Sequence, residues 1–534
     1  MKRLLLFPAL LLIACPSEEV EETPAPAPPS WCETMGLTER EFIEDAVFGR
    51  RRGDVADDFD VPTTNGEWDF SREFTGCETY LFIPDSLTVS PLDSTPLVDK
   101  TADITELIEK SPDNVQYFFV ATRGTRVDDF LDAMPGRIEE ALEGLDPDEH
   151  DPEYWAGRLH VVTEAAEDLS GWLDNAIFNG APGFGIDRFQ RLRGIGQLAD
   201  VTRFSAALNN AGYWSWEANV AYVAHEAQYY NYLSDQEDRL DAVDWDVHHL
   251  WVDENINASG RSKSTVQLPD AATMAGYDTL WVDLRHACDP AGREFGNCDA
   301  WDAGNRLHLC DVDDPDVCDD LVSRWITTYH REGRWLVDAS EALPRLQEGG
   351  AHTFQYRGAR GGHFTTVRLL FANTGKGTAP FAMEPTFTGG RWTETYDEEH
   401  PPLEIQVPAD ATRTHLVVTV TGHGQGGDFN CAEFCRHDHF FEVGGVEYVA
   451  EHPTIGDREG CLKQIHNGTV PNQHGTWWFD RTSWCPGKQV DPWVFDITDQ
   501  VTPGQPATIS YRTNYGDPAV GGSINLQSWV TYWK

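Results

Sequence analysis

The arrangement of apolar segments changes along this chain of 534 residues. Up to about residue 242, short apolar runs at 80–83, 115–120 and 159–162 alternate with stretches of helical spacing such as 130–142. From about residue 244 onward, short apolar runs are separated by turns rich in Gly, Pro, Asn and Asp. Strands that alternate with helices predict an α/β layer, whereas successive strands predict β-sandwiches or jelly rolls. We therefore expect a multidomain chain, α/β first and all-β afterwards.

A break at 373–380 divides the β region into two predicted sandwiches, residues 245–375 and 376–534. Residues 204–244 are expected to form a helical linker, because apolar residues recur at three- and four-residue spacing from 217 to 240. Two adjacent sandwiches create a cleft, and clefts between domains are frequent ligand sites.

Charge limits the partners. The chain has 88 acidic and 40 basic residues, a formal net charge of −48. A protein that binds nucleic acid through its backbone phosphates needs a basic face, so we expect no nucleic-acid partner.

The N-terminus predicts export. Met1-Lys2-Arg3 precedes an apolar run at 4–14 that is too short to span a bilayer, which is typical of a signal peptide. The run ends in a segment that resembles a bacterial lipobox, so residues 1–15 are expected to be a lipoprotein signal with a lipidated Cys15. The acidic, Pro-rich residues 16–30 then form an extended linker. Cleavage near Ala14 without lipidation is the alternative. We expect a location in the bacterial cell envelope, at the periplasmic or cell-surface side of the outer membrane.

Cysteine usage agrees with export. Of eleven cysteines, ten remain when Cys15 is set aside, and an even number in an exported chain predicts five disulfides, paired in sequence order. A zinc site is disfavoured because no Cys-x2-Cys pair has His at ligand spacing. The ten are Cys32, Cys77, Cys288, Cys298, Cys310, Cys318, Cys431, Cys435, Cys461 and Cys485.

Residues 31–203 resemble the thioredoxin-like proteins. The segment 53–62 is similar to that family's opening segment, and 181–193 is similar to its cis-Pro loop and closing hairpin. Redox activity is not expected, because a dithiol enzyme needs a second thiol separated from the first by two residues, and Cys77 has none. Pairing of Cys77 with Cys32 is expected instead. This domain is interpreted as a scaffold or docking module.

Two segments carry candidate catalytic carboxylates. Residues 298–302 place Asp299 and Asp302 around Trp301 beside a predicted disulfide, and residues 431–435 place Glu433 inside a short predicted disulfide loop. Carboxylates fixed in this way are suited to acid, base or nucleophile roles in amide or glycoside hydrolysis. The alternatives are a loop-capping Asp and a solvated Glu.

Residues 245–534 resemble the peptide-N-glycosidase F family of amidases. The resemblance rests on residues 298–302, 421–424, 431–435 and 475–487. It implies two side-by-side jelly rolls with the site between them, and hydrolysis of the bond between asparagine and the first N-acetylglucosamine of an N-glycoprotein or glycopeptide. It further implies the pairs 288–298, 431–435 and 461–485, and neither metal nor cofactor; we expect a monomer. Asp302 is implied to activate water and Glu433 to assist, while the implied substrate-binding residues are Arg481, Trp484, Trp301, His423 and Gln355.

The chain departs from the family pattern at four positions. Ala303 stands in place of an Arg, Gln355 in place of a Glu, and Arg357 and His423 each in place of a Trp. An inactive glycan- or protein-binding lipoprotein is therefore the alternative function. A copper monooxygenase is a further alternative, because histidines occur at 248–249, 437 and 439. That chemistry also needs a Met ligand, and the one Met late in the chain, Met383, has no adjacent His.

Overall fold

The computed structural model divides into two units, one ending at Glu39 and one running from Arg40 to Lys534. The predicted signal peptide, Cys15 and the linker 16–30 lie outside the described residues. The described part of the first unit contains a one-turn helix, Trp31–Thr34. No described helix is both long and apolar enough to cross a bilayer. The structure describes residues 31–49, 52–87, 95–169, 171–173, 176, 183–203, 205–208, 214–215, 217–256, 261–288, 298–358, 363–424, 431–451, 456–514 and 521–534.

The second unit begins with the α/β part. Its strands are β1 (Asp60–Thr63), β2 (Gly66–Asp69), β3 (Thr79–Pro84), β4 (Ser86–Leu87), β5 (Thr95–Pro96), β6 (Val115–Val120), β7 (Leu159–Val161), β8 (Phe184–Ile186), β9 (Leu192–Gly194), β10 (Ser205–Leu208) and β11 (Trp214–Ser215). Its helices are Phe70–Glu73, Thr101–Lys110, Val127–Glu143, Pro152–Ala156 and Ala224–Asp241.

One mixed sheet organises this part, in the order β7-β6-β3-β8-β9. Strands β3, β6 and β7 run parallel to one another, and β8 is antiparallel to both of its neighbours, β3 and β9. All six residues of β3 are buried, because a central parallel strand is covered on both faces. The three predicted strands and the helix at 130–142 are confirmed. The thioredoxin-like assignment of residues 31–203 stays a prediction, and Ala181 and Pro182 of the expected cis-Pro loop lie outside the described residues.

The linker helix begins later than predicted. Residues 217 and 219 are extended, because their backbones bond to Asp200 and Leu198. The Asn219 side chain then accepts a hydrogen bond from the Ala221 N–H and caps a 3₁₀ turn. The α-helix follows at Ala224–Asp241.

Two jelly rolls follow, each built from two four-stranded antiparallel sheets. The first has the orders β12-β19-β14-β17 and β13-β18-β15-β16, and the second repeats this pattern as β20-β27-β22-β25 and β21-β26-β23-β24. The predicted all-β architecture is thus confirmed. The strands are β12 (Asp246–Asn255), β13 (Arg261–Asp270), β14 (Thr279–Ala287), β15 (Gly304–Leu309), β16 (Asp320–Ile326), β17 (Gly333–Asp338), β18 (Gly349–Arg357), β19 (Phe364–Ala372), β20 (Pro380–Arg391), β21 (Leu403–Gln406), β22 (Arg413–His423), β23 (His439–Val443), β24 (Val446–Ala450), β25 (Trp493–Asp496), β26 (Pro506–Thr513) and β27 (Ser523–Trp533).

Short helices and disulfides brace the loops. The α-helical turns are Ala271–Met274 and Cys431–Phe434. Cys32 and Cys77 are each disulfide-bonded. Four of the predicted pairs are present, Cys288–Cys298, Cys310–Cys318, Cys431–Cys435 and Cys461–Cys485.

A buried ion pair joins the α/β part to both jelly rolls. Arg331, after β16, donates to both carboxylate oxygens of Glu226 on the linker helix, at 2.9 and 3.2 Å. Their side chains are 1% and 0% exposed. Arg331 also donates to the carbonyls of Gly194 on β9 and Pro471 in the second jelly roll. We name this contact the junction.

Loop 471–473 completes the junction. Asn472 donates to Glu226 at 2.9 Å, and the Gln197 N–H donates to the Asn472 carbonyl at 2.6 Å. A side chain at position 196 would come within 2.2 Å of that carbonyl, so Gly196 permits the approach. Gln473 accepts a hydrogen bond from the Tyr329 N–H at 2.9 Å. The junction therefore also holds the segment that carries Tyr329.

Glu226→Gln is expected to lower the free energy of unfolding by about 3–5 kcal/mol, because it leaves the Arg331 cation buried without a counter-charge. Glu447→Gln is the control, since Glu447 pairs with Arg512 where both side chains are about half exposed, and its loss costs about 1 kcal/mol or less. Denaturant unfolding followed by tryptophan fluorescence measures both. Equal losses in the two variants would contradict a structural role for the junction.

Candidate functional site

Asp302 lies in the loop that enters β15. The loop starts at the Cys288–Cys298 disulfide. Thr327, at the end of β16, holds it by accepting from the Ala303 N–H at 2.8 Å and donating to the Trp301 carbonyl at 2.7 Å. The carboxylate that follows Trp301 is therefore fixed against the neighbouring strand.

Glu433 lies in the one-turn helix Cys431–Phe434, which the Cys431–Cys435 disulfide closes. Its carbonyl accepts the Thr482 N–H at 2.8 Å. Its carboxylate accepts the Gly424 N–H at 2.9 Å. The side chain is therefore oriented from both ends.

Arg481 belongs to a tight turn next to the Cys461–Cys485 disulfide. Ser483 in this turn has a positive φ of 64°. The guanidinium is 2% exposed and donates to the carbonyls of Thr476 and Phe479 at 2.9 and 2.6 Å. These bonds fix the cation without a carboxylate and leave part of it free to meet the two acids.

The two carboxylates converge on this arginine. An Arg481 amino nitrogen lies 3.4 Å from Asp302 Oδ2, and its Nε lies 3.9 Å from Glu433 Oε1. Asp302 and Glu433 are 16% and 13% exposed. One acid comes from each jelly roll, so the site exists only where the two domains meet.

Opposing influences act on the carboxyls. Burial raises the pKa of Asp302 above its usual value, while Arg481 and a hydrogen bond from Tyr329 offset part of this increase. Burial also raises the pKa of Glu433, against the Gly424 N–H and Arg481, and the nearby Asp302 raises it further. Both groups are therefore better proton acceptors than an exposed carboxylate.

Tyr329 is a site residue that sequence reasoning missed. Its hydroxyl accepts a hydrogen bond from Arg481 at 3.3 Å and donates to Asp302, and burial holds its pKa well above the usual value. The only signal was the polar run 327–331 at the end of a buried strand. No linear spacing connects that run to Asp302.

The aromatic residues differ from expectation. Trp484 is only 4% exposed, and its Nε1 donates to the Gly422 carbonyl at 2.7 Å. Its ring packs on His423 at 5.1 Å and beneath Arg481 at 5.1 Å. Trp484 therefore supports the site rather than offering a face to a sugar. Trp301 is 55% exposed and supplies the open aromatic surface beside Asp302.

Gln355 does not join the acids. It lies on β18, opposite His308, and accepts a hydrogen bond from Arg357. His423 lies closer to the site, with its Nε2 and the Thr421 hydroxyl 2.9 Å apart. Burial together with Arg324 and Arg306 lowers the pKa of His423 to about 3, so the imidazole is neutral.

The metal alternatives gain no support from the described residues. His248 and His249 lie on β12 in the first jelly roll, whereas His439, in the second, is 2.7 Å from the Tyr511 hydroxyl. The one cluster of ligand-type atoms in the described residues is a disulfide with a neighbouring acid, and bonded sulfurs do not ligate. Its members are Cys461, Cys485 and Asp480.

Residues 391–531 match the profile of the family described as Peptide-N-glycosidase F, C terminal. The resemblance predicted from the sequence is thus confirmed over these residues. No curated protein matches the chain.

Solved structures of peptide-N-glycosidases are similar to this chain. PNGase F, a glycosylasparaginase from Flavobacterium meningosepticum, is 17% identical over 54% of this chain and 96% of that chain, with a TM-score of 0.42. A peptide-N(4)-(N-acetyl-β-D-glucosaminyl)asparagine amidase is 16% identical over 55% and 96%, with a TM-score of 0.44. PNGF-II is 14% identical over 56% and 67%, with a TM-score of 0.42.

Asp302→Asn is expected to gain thermal stability relative to the native chain as pH rises. Because burial raises the pKa of Asp302, the stability that this carboxyl contributes below its unfolded pKa is lost as pH rises through its folded pKa. Thermal midpoints measured from about pH 3 to about pH 8 give the trend. Asp316→Asn is the matched control, since Lys263 lowers the pKa of Asp316 and the trend should reverse. The same trend in both variants would contradict the assignment.

Proposed function

We propose, from the family match over residues 391–531 and from the two acids at Arg481, that this chain is a peptide-N-glycosidase-like amidase. Its substrate is the amide that links asparagine to the first N-acetylglucosamine of an N-glycoprotein or glycopeptide. The observation that carries the proposal is the convergence of one buried carboxylate from each jelly roll on a single fixed guanidinium. This arrangement supplies two proton-transfer groups and one cation in a site of restricted water access.

Asp302 acts first, as the general base. It takes a proton from a water molecule, whose oxygen then bonds to the side-chain amide carbon as the C=O electron pair moves to oxygen. Burial makes Asp302 a stronger base than an exposed carboxylate, and the Tyr329 hydroxyl keeps it oriented. Arg481 is the cation nearest to the negative charge that develops on the amide oxygen.

Glu433 acts second, as the proton donor. The tetrahedral intermediate collapses, its C–N bond breaks, and the nitrogen takes a proton to leave as the glycosylamine. Glu433 suits this step because burial and the charge on Asp302 raise its pKa. The peptide product carries Asp where Asn stood, and no redox partner is needed.

Release of intact glycan from a denatured N-glycoprotein in ¹⁸O-water tests the reaction. The expected peptide product is Asp carrying one ¹⁸O, and kcat/KM is expected to fall by about 10²–10⁴-fold in Asp302→Asn and in Glu433→Gln. Asp316→Asn, an exposed carboxylate on the same jelly roll, should retain activity. Asn still carrying one sugar would indicate a glycosidase, and full activity in Asp302→Asn would reject the assigned base.

The second candidate is a glycan- or protein-binding lipoprotein without catalysis. The displacement of Gln355 from the acids and the burial of Trp484 favour it. Binding of glycopeptide without product, in the same assay, would select this candidate over the amidase.

We also propose that the protein is a monomer, exported and anchored in the bacterial cell envelope by lipid on Cys15. The lipobox-like end of residues 1–15 supports this location. Labelling of expressing cells with radioactive palmitate is expected to mark the native chain and not Cys15→Ser. Label retained by the variant would contradict lipidation at this cysteine.

A further inference from the structure

Four arginines lie side by side across one sheet of the first jelly roll. Arg261 on β13 is opposite Arg357 on β18, Arg357 is opposite Arg306 on β15, and Arg306 is opposite Arg324 on β16. Opposite residues in antiparallel strands project from the same face. Because neighbouring strands lie about 4.8 Å apart, this arginine row spans about 14 Å.

Within the part of the chain that the structure describes, the row lacks matching negative charge. Like charges directly opposite each other destabilise a sheet. The row is therefore unexpected in a chain with 88 acidic residues, any of which could offset an arginine. Among the described residues, only Arg357 lies within ion-pair distance of a carboxylate, at 3.4 Å from Asp319, whose side chain is 80% exposed. The uncompensated charge points to a ligand.

The buried end of the row has unused donors. Arg324 is 3% exposed and donates to Thr421 and to the Asn525 carbonyl of the second jelly roll. The buried Nε atoms of Arg324 and Arg306 have no acceptor within the described residues. A buried donor left unpaired costs about 1–3 kcal/mol. Burial and the neighbouring Arg306 lower the pKa of Arg324 to about 9, which shows how poorly this charge is compensated.

The row adjoins the site. Asp302, Gly304 and Arg306 follow one another at two-residue spacing into β15, and a side chain at Gly304 would meet His423 Cε1 at 4.0 Å. His423 packs on Trp484, which packs under Arg481. A chain of packed side chains therefore connects the acids to the arginine row.

We propose that the arginine row binds an anionic substituent, a carboxylate, sulfate or phosphate group, on the glycan whose amide end lies at Asp302 and Glu433. This inference rests on the proposed amidase function and adds its substrate class, acidic glycans rather than neutral ones. The row runs from exposed Arg261 to buried Arg324. It is therefore open to solvent at one end, where the rest of a branched or extended glycan can leave the protein. Arginine suits such groups because its planar fork binds two oxyanion oxygens at once.

Binding of two fluorescent glycopeptides to the full chain tests the proposal. One carries a sulfated N-glycan, and the other is the same glycopeptide after desulfation. Anisotropy is measured in the Asp302→Asn background, so that binding is separated from turnover. The sulfated form is expected to bind about tenfold more tightly, which corresponds to 1.4 kcal/mol. Equal affinities would overturn the proposal.

Arg306→Gln is expected to remove this preference and to leave the affinity for the desulfated form unchanged. Arg261→Gln, at the exposed end, is expected to fold as the native chain does, because surface substitutions change stability little, and should reduce the preference in part. Arg512→Gln, an exposed arginine paired with Glu447 on the second jelly roll, is the matched control and should keep it. Equal weakening of both glycopeptides by Arg306→Gln would overturn the proposal.

Two further readouts separate the possible failures. Cleavage of the desulfated glycopeptide without preference for the sulfated one supports the amidase and overturns the anion site. Preferential, Arg306-dependent binding without cleavage of either glycopeptide supports the anion site and rejects the amidase. Competition by inorganic sulfate distinguishes a free-ion site: sulfate binding that depends on Arg306, with no preference between the glycopeptides, would also overturn the proposal.

Discussion

The buried ion pair between Glu226 and Arg331 is the contact on which the rest of the architecture depends. A fully buried pair of charges is tolerated only when its remaining donors and acceptors are satisfied, and here the partners come from β9, from the linker helix and from both jelly rolls. The same segments continue into the site. Two residues before Arg331 stands Tyr329, and ten residues after position 471 stands Arg481. The α/β part thus contacts the segments that lead to the candidate site residues Tyr329 and Arg481.

Within the site, one guanidinium lies close to two carboxylates that are both largely buried. One amino group of Arg481 donates to the carbonyls of Thr476 and Phe479, and the other donates to the hydroxyls of Tyr329 and Thr476, so the guanidinium is held in place independently of either carboxylate. Burial raises the pKa of both carboxyls, and the guanidinium lowers it. A balance of this kind allows one acid to accept a proton while its neighbour gives one up. Disulfides next to all three residues keep the distances that this balance requires.

Local pattern was sufficient to predict much of the fold. The runs at 115–120 and 159–162 are short and almost wholly apolar, a pattern that favours a buried strand over a helix. The cysteines lie close together in the sequence, so pairing them in sequence order is also a local prediction. Asp302 and Glu433 are predicted as site residues because each lies within four positions of a cysteine, in a motif that resembles the amidase family, and the structure brings both side chains to Arg481. Tyr329 is not predicted, because it reaches Asp302 from a loop after β16. The arginine row is not predicted either, because it arises from register across strands, which one-dimensional spacing does not contain. Trp484 is predicted to offer its face to a sugar, but its ring is buried and packs on His423, which is 61 positions earlier in the chain and not visible as a partner in the sequence.

The junction also bears on the order in which the candidate site is assembled during folding. Glu226 meets Arg331 across 105 positions and Asn472 across 246. Contacts of such separation form late, after the entropy of closing large loops has been overcome. A chain emerging from the ribosome therefore contains Asp302 long before Arg481 has been synthesised. The nascent protein contains Asp302 without Glu433 and Arg481, and the site can form only after the last quarter of the sequence has been synthesised.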